Sequence, residues 1–202
     1  MLKYIFIATI VLLLIFNVIC LNKIKKSDDV QHDIVRSYKH LIDVHNDLIA
    51  VTSESFLYED QKLQKNLFVC TEKNDSIPIC DIFGGRLKLV MRYTVESCES
   101  CVEKEIELLK KTFEGKYDNI VILTNHEHSQ DMIAFKRKHQ LNSAIYSIRD
   151  TNLNLNNNNV CFFVSDNSLL IKSFLIPTPF CPDLTEHYLN IMVKKYFDVY
   201  EK

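Results

Sequence analysis

The stretch "LKLVMRYTVESCESCVEKEIELL", Leu87 to Leu109, decides how the rest of this chain is read. "RLKLVMRYT", Arg86 to Thr94, is a β-rich run long enough for a central strand. The residues after it place Val102, Ile106, Leu109 and Phe113 on one face and Glu103, Lys104, Lys110 and Lys111 on the other, which predicts a helix. Between the two lies a C-x-x-C pair, Cys98 and Cys101. A thiolate is stabilised at a helix amino terminus by free N–H groups and the helix dipole, and Cys98 is expected in that place.

The pattern continues outward from this segment. "DNIVILT", Asp118 to Thr124, is apolar almost throughout, as suits a strand buried on both faces of a parallel sheet. "SQDMIAFKRKHQ", Ser129 to Gln140, predicts a helix capped by Ser129, and "AIYSI" a short strand. The Asn-rich "NLNLNNNN", Asn152 to Asn159, reads as a polar loop. In "VCFFVSDNSLLIKSFLI", Val160 to Ile176, the turn residues Asp166, Asn167 and Ser168 predict an antiparallel hairpin. A last helix is expected from Pro182 and Asp183, with capping-box spacing from Asp183 to Glu186. Upstream, "NLFVCTEKNDSIPICDIFGG", Asn66 to Gly85, predicts short strands around a turn at Asn74 and Asp75.

Length and charge narrow the function. The chain has 202 residues, about one domain's worth, with 24 Lys and Arg against 26 Asp and Glu. No basic stripe interleaves with aromatics, so nucleic acid is not expected as a partner. "YIFIATIVLLLIFNVICL", Tyr4 to Leu21, is a charge-free apolar run that as a helix spans roughly 27 Å, close to the ~30 Å hydrocarbon core. No A-x-A-like cleavage site follows, so an uncleaved anchor is expected. The lysines Lys23, Lys25 and Lys26 after the run favour a cytoplasmic domain. Six cysteines beyond the run favour the exported side, where disulfides persist. The expectation is the exported side. A helical lead-in follows, with Val30, Ile34, Tyr38 and Leu41 near a 3.6 period.

The order β, α, β, α, hairpin, α, with C-x-x-C opening the first of these helices, resembles the thioredoxin superfamily, and the anchor makes the chain similar to membrane-tethered members of the TlpA and ResA kind. The resemblance implies an α/β, thioredoxin-like, three-layer α/β/α domain with a mixed central sheet. The organisation expected is then a transmembrane anchor over 1–22, a helical linker or stalk over 23–62 and the thioredoxin-like domain over 63–202, in a bacterial inner membrane. It implies thiol-disulfide exchange with a disulfide-bearing protein substrate or an electron-donor protein, catalysed by Cys98 and Cys101 without a cofactor. Three departures stand out. The cis-proline of the family corresponds to Val160, which is expected to be trans, with Cys161 next to it. Glu99 and Ser100 replace the usual glycine and proline. The family's buried acid, six positions ahead of the first cysteine, corresponds to Arg92.

Glu96, Glu99 and Glu103 are expected to surround the pair with negative charge, which disfavours the thiolate and stabilises the disulfide over the dithiol. Arg92 opposes this if its guanidinium reaches the sulfur. An alternative function is metal binding, in which His126 and His128 of "HEH" face the cysteines across one sheet edge and complete a zinc or copper(I) set. A redox-inactive binding module is the third reading. Cys161 could join Cys181 in a bridge, act as a third redox group or pack as a small hydrophobe. Cys70 and Cys80 could form a bridge or remain free.

Overall fold

The apolar segment 120–124 forms a strand with every residue buried, and the sheet is assembled around it. In the computed structural model, which describes residues 2–148 and 160–198, the elements are helix α1 (Leu2–Tyr58), strands β1 (Phe68–Cys70), β2 (Ser76–Pro78) and β3 (Lys88–Arg92), and helix α2 (Glu99–Thr112). Then follow β4 (Ile120–Thr124), α3 (Ser129–Lys138), β5 (Ala144–Ser147), β6 (Cys161–Ser165), β7 (Lys172–Leu175) and α4 (Pro182–Met192). No side chain before Phe16 is described, so most of the expected anchor, 1–22, lies outside the described side chains. Among the described residues no helix is long and apolar enough to cross a membrane.

The chain divides into two compact units, Met1–Asn46 and Asp47–Lys202. In the first, the stripe Val30, Ile34, Tyr38 and Leu41 is exposed. The second holds the sheet, and it takes in the end of α1: Val51 is buried in its core, and the Glu59 carboxylate accepts the backbone N–H groups of Ser173 and Phe174.

Among the described residues the sheet has seven strands in the order β2-β1-β5-β4-β3-β6-β7. The central strands β3, β4 and β5 are parallel; β6 and β7 on one side, and β1 and β2 on the other, are antiparallel. The hairpin expected around Asp166 to Ser168 forms, its turn closed by the Ser168 N–H donating to the Asp166 carboxylate at 2.8 Å. The turn at Asn74 also forms, with Asn74 in the left-handed region at φ 67°. This mixed sheet with flanking helices fits a thioredoxin-like α/β fold.

Among the described residues the helices are distributed unequally over the two faces of the sheet. Both crossovers, β3 to β4 through α2 and β4 to β5 through α3, step in the same direction across the sheet, and right-handed crossovers that step the same way put their helices on one face. Accordingly Val102, Ile106 and Leu109 of α2, Met132 of α3 and Leu189 of α4 share one buried cluster with Leu89 and Met91. The opposite face, carrying Val90, Val121 and Phe163, is covered among the described residues by Leu63, Leu67 and the 3-10 turn Ile79–Phe83. Two helix caps also differ from expectation. His128, not Ser129, is the cap residue of α3, and no capping box forms at α4, because the helix starts at Pro182 with Cys181 as its cap, and Glu186 pairs with Lys111 at 2.8 Å.

Phe113, at the end of α2, is fully buried and lies edge-on to Phe197 with ring centroids 5.5 Å apart. Phe113→Ala is expected to destabilise the protein by about 3 to 5 kcal/mol through the lost burial and the cavity left behind, seen as a lower denaturant midpoint in urea unfolding followed by circular dichroism.

Candidate functional site at the amino terminus of helix α2

Strand β3 leaves the sheet at Tyr93, whose N–H still donates to the Leu123 carbonyl at 3.1 Å. The next four residues form a tight connection held from two directions. Ser97 Oγ accepts the Thr94 N–H at 3.0 Å, and Asn125, just beyond β4, accepts the Val95 N–H at 2.7 Å and donates to Glu96 at 3.2 Å. Cys98 then occupies the cap position of α2, and its carbonyl accepts the first intrahelical bonds, from Cys101 and Val102, both at 3.0 Å.

Cys98 and Cys101 are joined in a disulfide with Cα atoms 5.2 Å apart, within the ordinary range. Both residues are exposed. Ser100 places its hydroxyl 3.3 Å from the Cys98 sulfur. The disulfide lines a cavity of about 400 Å³ together with Val160, Pro177 and Pro179. Val160 is buried in the cluster on the helical face of the sheet. No cis peptide occurs among the described residues, but the bond into Val160 comes from Asn159, which lies outside them.

The acidic surroundings are partly offset by a single lysine. Lys138 of α3 reaches back over α2 and pairs with Glu99 at 2.6 Å and Glu103 at 2.9 Å. These contacts push the lysine up to about 12, Glu99 first among the causes, and the same contact draws Glu99 down. Glu96 is also lowered, by the backbone N–H and the Thr94 and Asn125 side chains that bond it. Exposed ion pairs of this kind contribute little stability. Their effect here is electrical.

Arg92 does not serve the pair in the expected way. Side chains alternate across a strand, so Arg92 stands on the face of Val90, opposite α2, directly beside Cys161 in register. There it partly offsets the burial that pushes the Cys161 thiol up to about 12. Cys161 is buried and free, and the half-buried Cys70, Cys80 and Cys181 are also unbridged, so of the readings for Cys161 the structure has the small buried side chain and not a bridge to Cys181.

The histidines take other partners. His126 Nε2 lies 3.2 Å from the Tyr93 hydroxyl, and the two rings meet edge to face beside Phe135, which stacks on Tyr93 at 4.8 Å. Burial pulls His126 down and pushes the Tyr93 phenol up. His128 is exposed at the start of α3. Among the described residues no three His, Cys, Asp or Glu groups could hold a metal ion. The set of Cys98, Cys101, His126 and His128 is therefore not brought together.

Three contributors were not anticipated from the residues alone: Asn125, Lys138 and Glu105. Glu105 had a visible signal, being an acid flanked in helical space by Val102, Ile106 and Leu109, on the buried side of α2.

No family model matches this chain, and no curated protein does. Among solved structures, it is similar to a thiol:disulfide interchange protein from Bacteroides sp. (14% identity, 67% of this chain and 88% of that one, TM-score 0.49). It is also similar to the thioredoxin domain of a thiol-disulfide oxidoreductase from Bacteroides vulgatus (14% identity, 64% and 100%, TM-score 0.43). A third is a mutant of Xylella fastidiosa PrxQ (10% identity, 67% and 95%, TM-score 0.47).

Two outcomes follow from this geometry. Timed alkylation with mass-spectrometric mapping is expected to label Cys161 at least about a hundredfold more slowly than Cys70 and Cys181, because it is buried and poorly ionised. Lys138→Ala leaves Glu99 and Glu103 uncompensated and is expected to lower the reduction potential of the Cys98–Cys101 couple by roughly 10 to 20 mV, measured against a glutathione buffer at low salt.

Proposed function

We propose that this protein is a membrane-tethered, thioredoxin-like protein that exchanges or reduces disulfides of exported partner proteins through Cys98 and Cys101. The observation that carries the reading is an exposed disulfide whose first sulfur stands at the amino terminus of α2, the end of a helix that favours a thiolate. The tether and the exported side rest on the apolar run Tyr4 to Leu21 and on the cysteine content.

In the reductive direction the reduced pair starts with the Cys98 thiolate. It attacks one sulfur of the partner disulfide, forming a mixed disulfide and expelling the partner's second sulfur as a thiolate that takes up a proton. Cys101, deprotonated, then attacks the Cys98 sulfur; the mixed bond breaks, the partner leaves as a dithiol, and the Cys98–Cys101 bond re-forms. Two electrons have passed to the partner. An electron-donor protein with a dithiol returns them by the same steps in reverse. Two effects tilt the balance in opposite directions: the helix dipole favours the thiolate, and the Glu99 and Glu103 carboxylates, which share the one cation of Lys138, oppose it.

Cys98→Ser is expected to abolish catalysed disulfide reduction in an assay with a dithiol donor, whereas Cys101→Ser is expected to accumulate the mixed disulfide, visible as a covalent adduct on non-reducing gels. A Cys98→Ser protein as active as wild type would make the domain a binding module.

A further inference from the structure

Two residues that line the cavity beside the disulfide each carry a buried carboxylate oxygen without a hydrogen-bond partner: Asp47, at Oδ2, and Glu105, at Oε2. Glu105 is only 4% exposed. A buried acceptor left without a donor is costly, and native proteins leave few of them. Glu105 follows Cys101 by one helical turn on the same side of α2, with Cβ atoms roughly 6 Å apart at this spacing. Asp47 and Glu54 come from the other wall, on the last turns of α1.

The charges lining this cavity do not balance: Asp47 and Glu105 stand with a single lysine, Lys104. Burial raises the Glu105 carboxyl, and Lys104 and the Thr185 hydroxyl only partly counter it. The remaining wall is apolar, from Val51, Val160, Ile176, Pro177 and Pro179. Apolar sides with an acidic end suit a methylene stem carrying a cationic head, which is the shape of lysine or arginine.

From this juxtaposition we infer that the cavity is a substrate subsite receiving a basic side chain that neighbours the disulfide to be exchanged, so that the preferred substrates are disulfides flanked by lysine or arginine. The inference rests on the exchange function proposed above. In substrate the ammonium or guanidinium would donate to Glu105 Oε2 and Asp47 Oδ2 while its stem lies along Val160 and the prolines.

Three small disulfides of similar length test it at low ionic strength: cystamine, which is cationic, hydroxyethyl disulfide, which is neutral, and dithiodipropionate, which is anionic. For the full-length protein kcat/KM is expected to fall in that order, about tenfold per step, equivalent to about 1.4 kcal/mol. In the Glu105→Gln, Asp47→Asn double variant the ratio of cystamine to the neutral disulfide is expected to fall to within about twofold of unity. A wild-type rate indifferent to charge, or a preference that survives in the double variant, overturns the subsite. Binding of cadaverine to the oxidised protein, followed by amide shifts of Cys101 and Glu105 with pentanediol as control, separates the two ideas. Cadaverine binding with no disulfide of any charge reduced keeps the cationic subsite and overturns exchange. Exchange without charge preference and without cadaverine binding keeps exchange and overturns the subsite.

Discussion

The pairing of β3 between β4 and β6 is the constraint on which the rest of the site depends. Four residue pairs in parallel with β4 and five antiparallel with β6 hold β3 along its length, and Leu89, Val90 and Met91 are buried on both faces. A strand held so firmly delivers its carboxyl end to one point in space. The connection from Thr94 to Ser97 then has few ways to reach the first turn of α2, and Asn125, anchored at the end of the neighbouring strand, removes most of those that remain. The position of Cys98 is thus inherited from the sheet.

The electrostatics around the disulfide show why charge near a site cannot be read from spacing alone. Glu96, Glu99 and Glu103 surround the cysteines in the sequence, yet each is bound by a group from another element: Asn125 after β4 for the first, Lys138 at the end of α3 for the other two. Arg92, the nearest arginine in the sequence, serves the opposite face. One lysine offsets part of the field of the two acids it touches. A further acid, Glu105, is buried in the cavity between the end of α1 and α2.

Much of the architecture was legible because it follows from local periodicity. The alternation and apolar content of Leu87 to Arg92 and Ile120 to Thr124 announced strands, the stripe Val102, Ile106, Leu109 and Phe113 announced α2, and Asp166 to Ser168 announced the hairpin turn. What failed was decided by pairs distant in the chain. The caps expected of Ser129 and Asp183 failed because each helix begins one or two residues earlier, at caps His128 and Cys181, and Glu186 instead pairs with Lys111, 75 residues away in sequence. The face of the sheet that α2 and α3 cover is likewise set by crossover handedness, which the periodicity within a helix does not encode.

By itself, then, the sequence determined which segments bury which faces, that two cysteines begin a helix after a buried strand, and that acids are dense around them, since these depend on residue type and short-range geometry. Only the tertiary structure decided that Lys138 pairs with two of those acids, that Arg92 meets Cys161, that His126 is taken by Tyr93, and that Asp47 and Glu105 share one cavity with the disulfide. Those outcomes depend on which residues far apart in the chain come within a few ångströms, and that distance is set by sheet order and the handedness of crossovers, which no local pattern encodes.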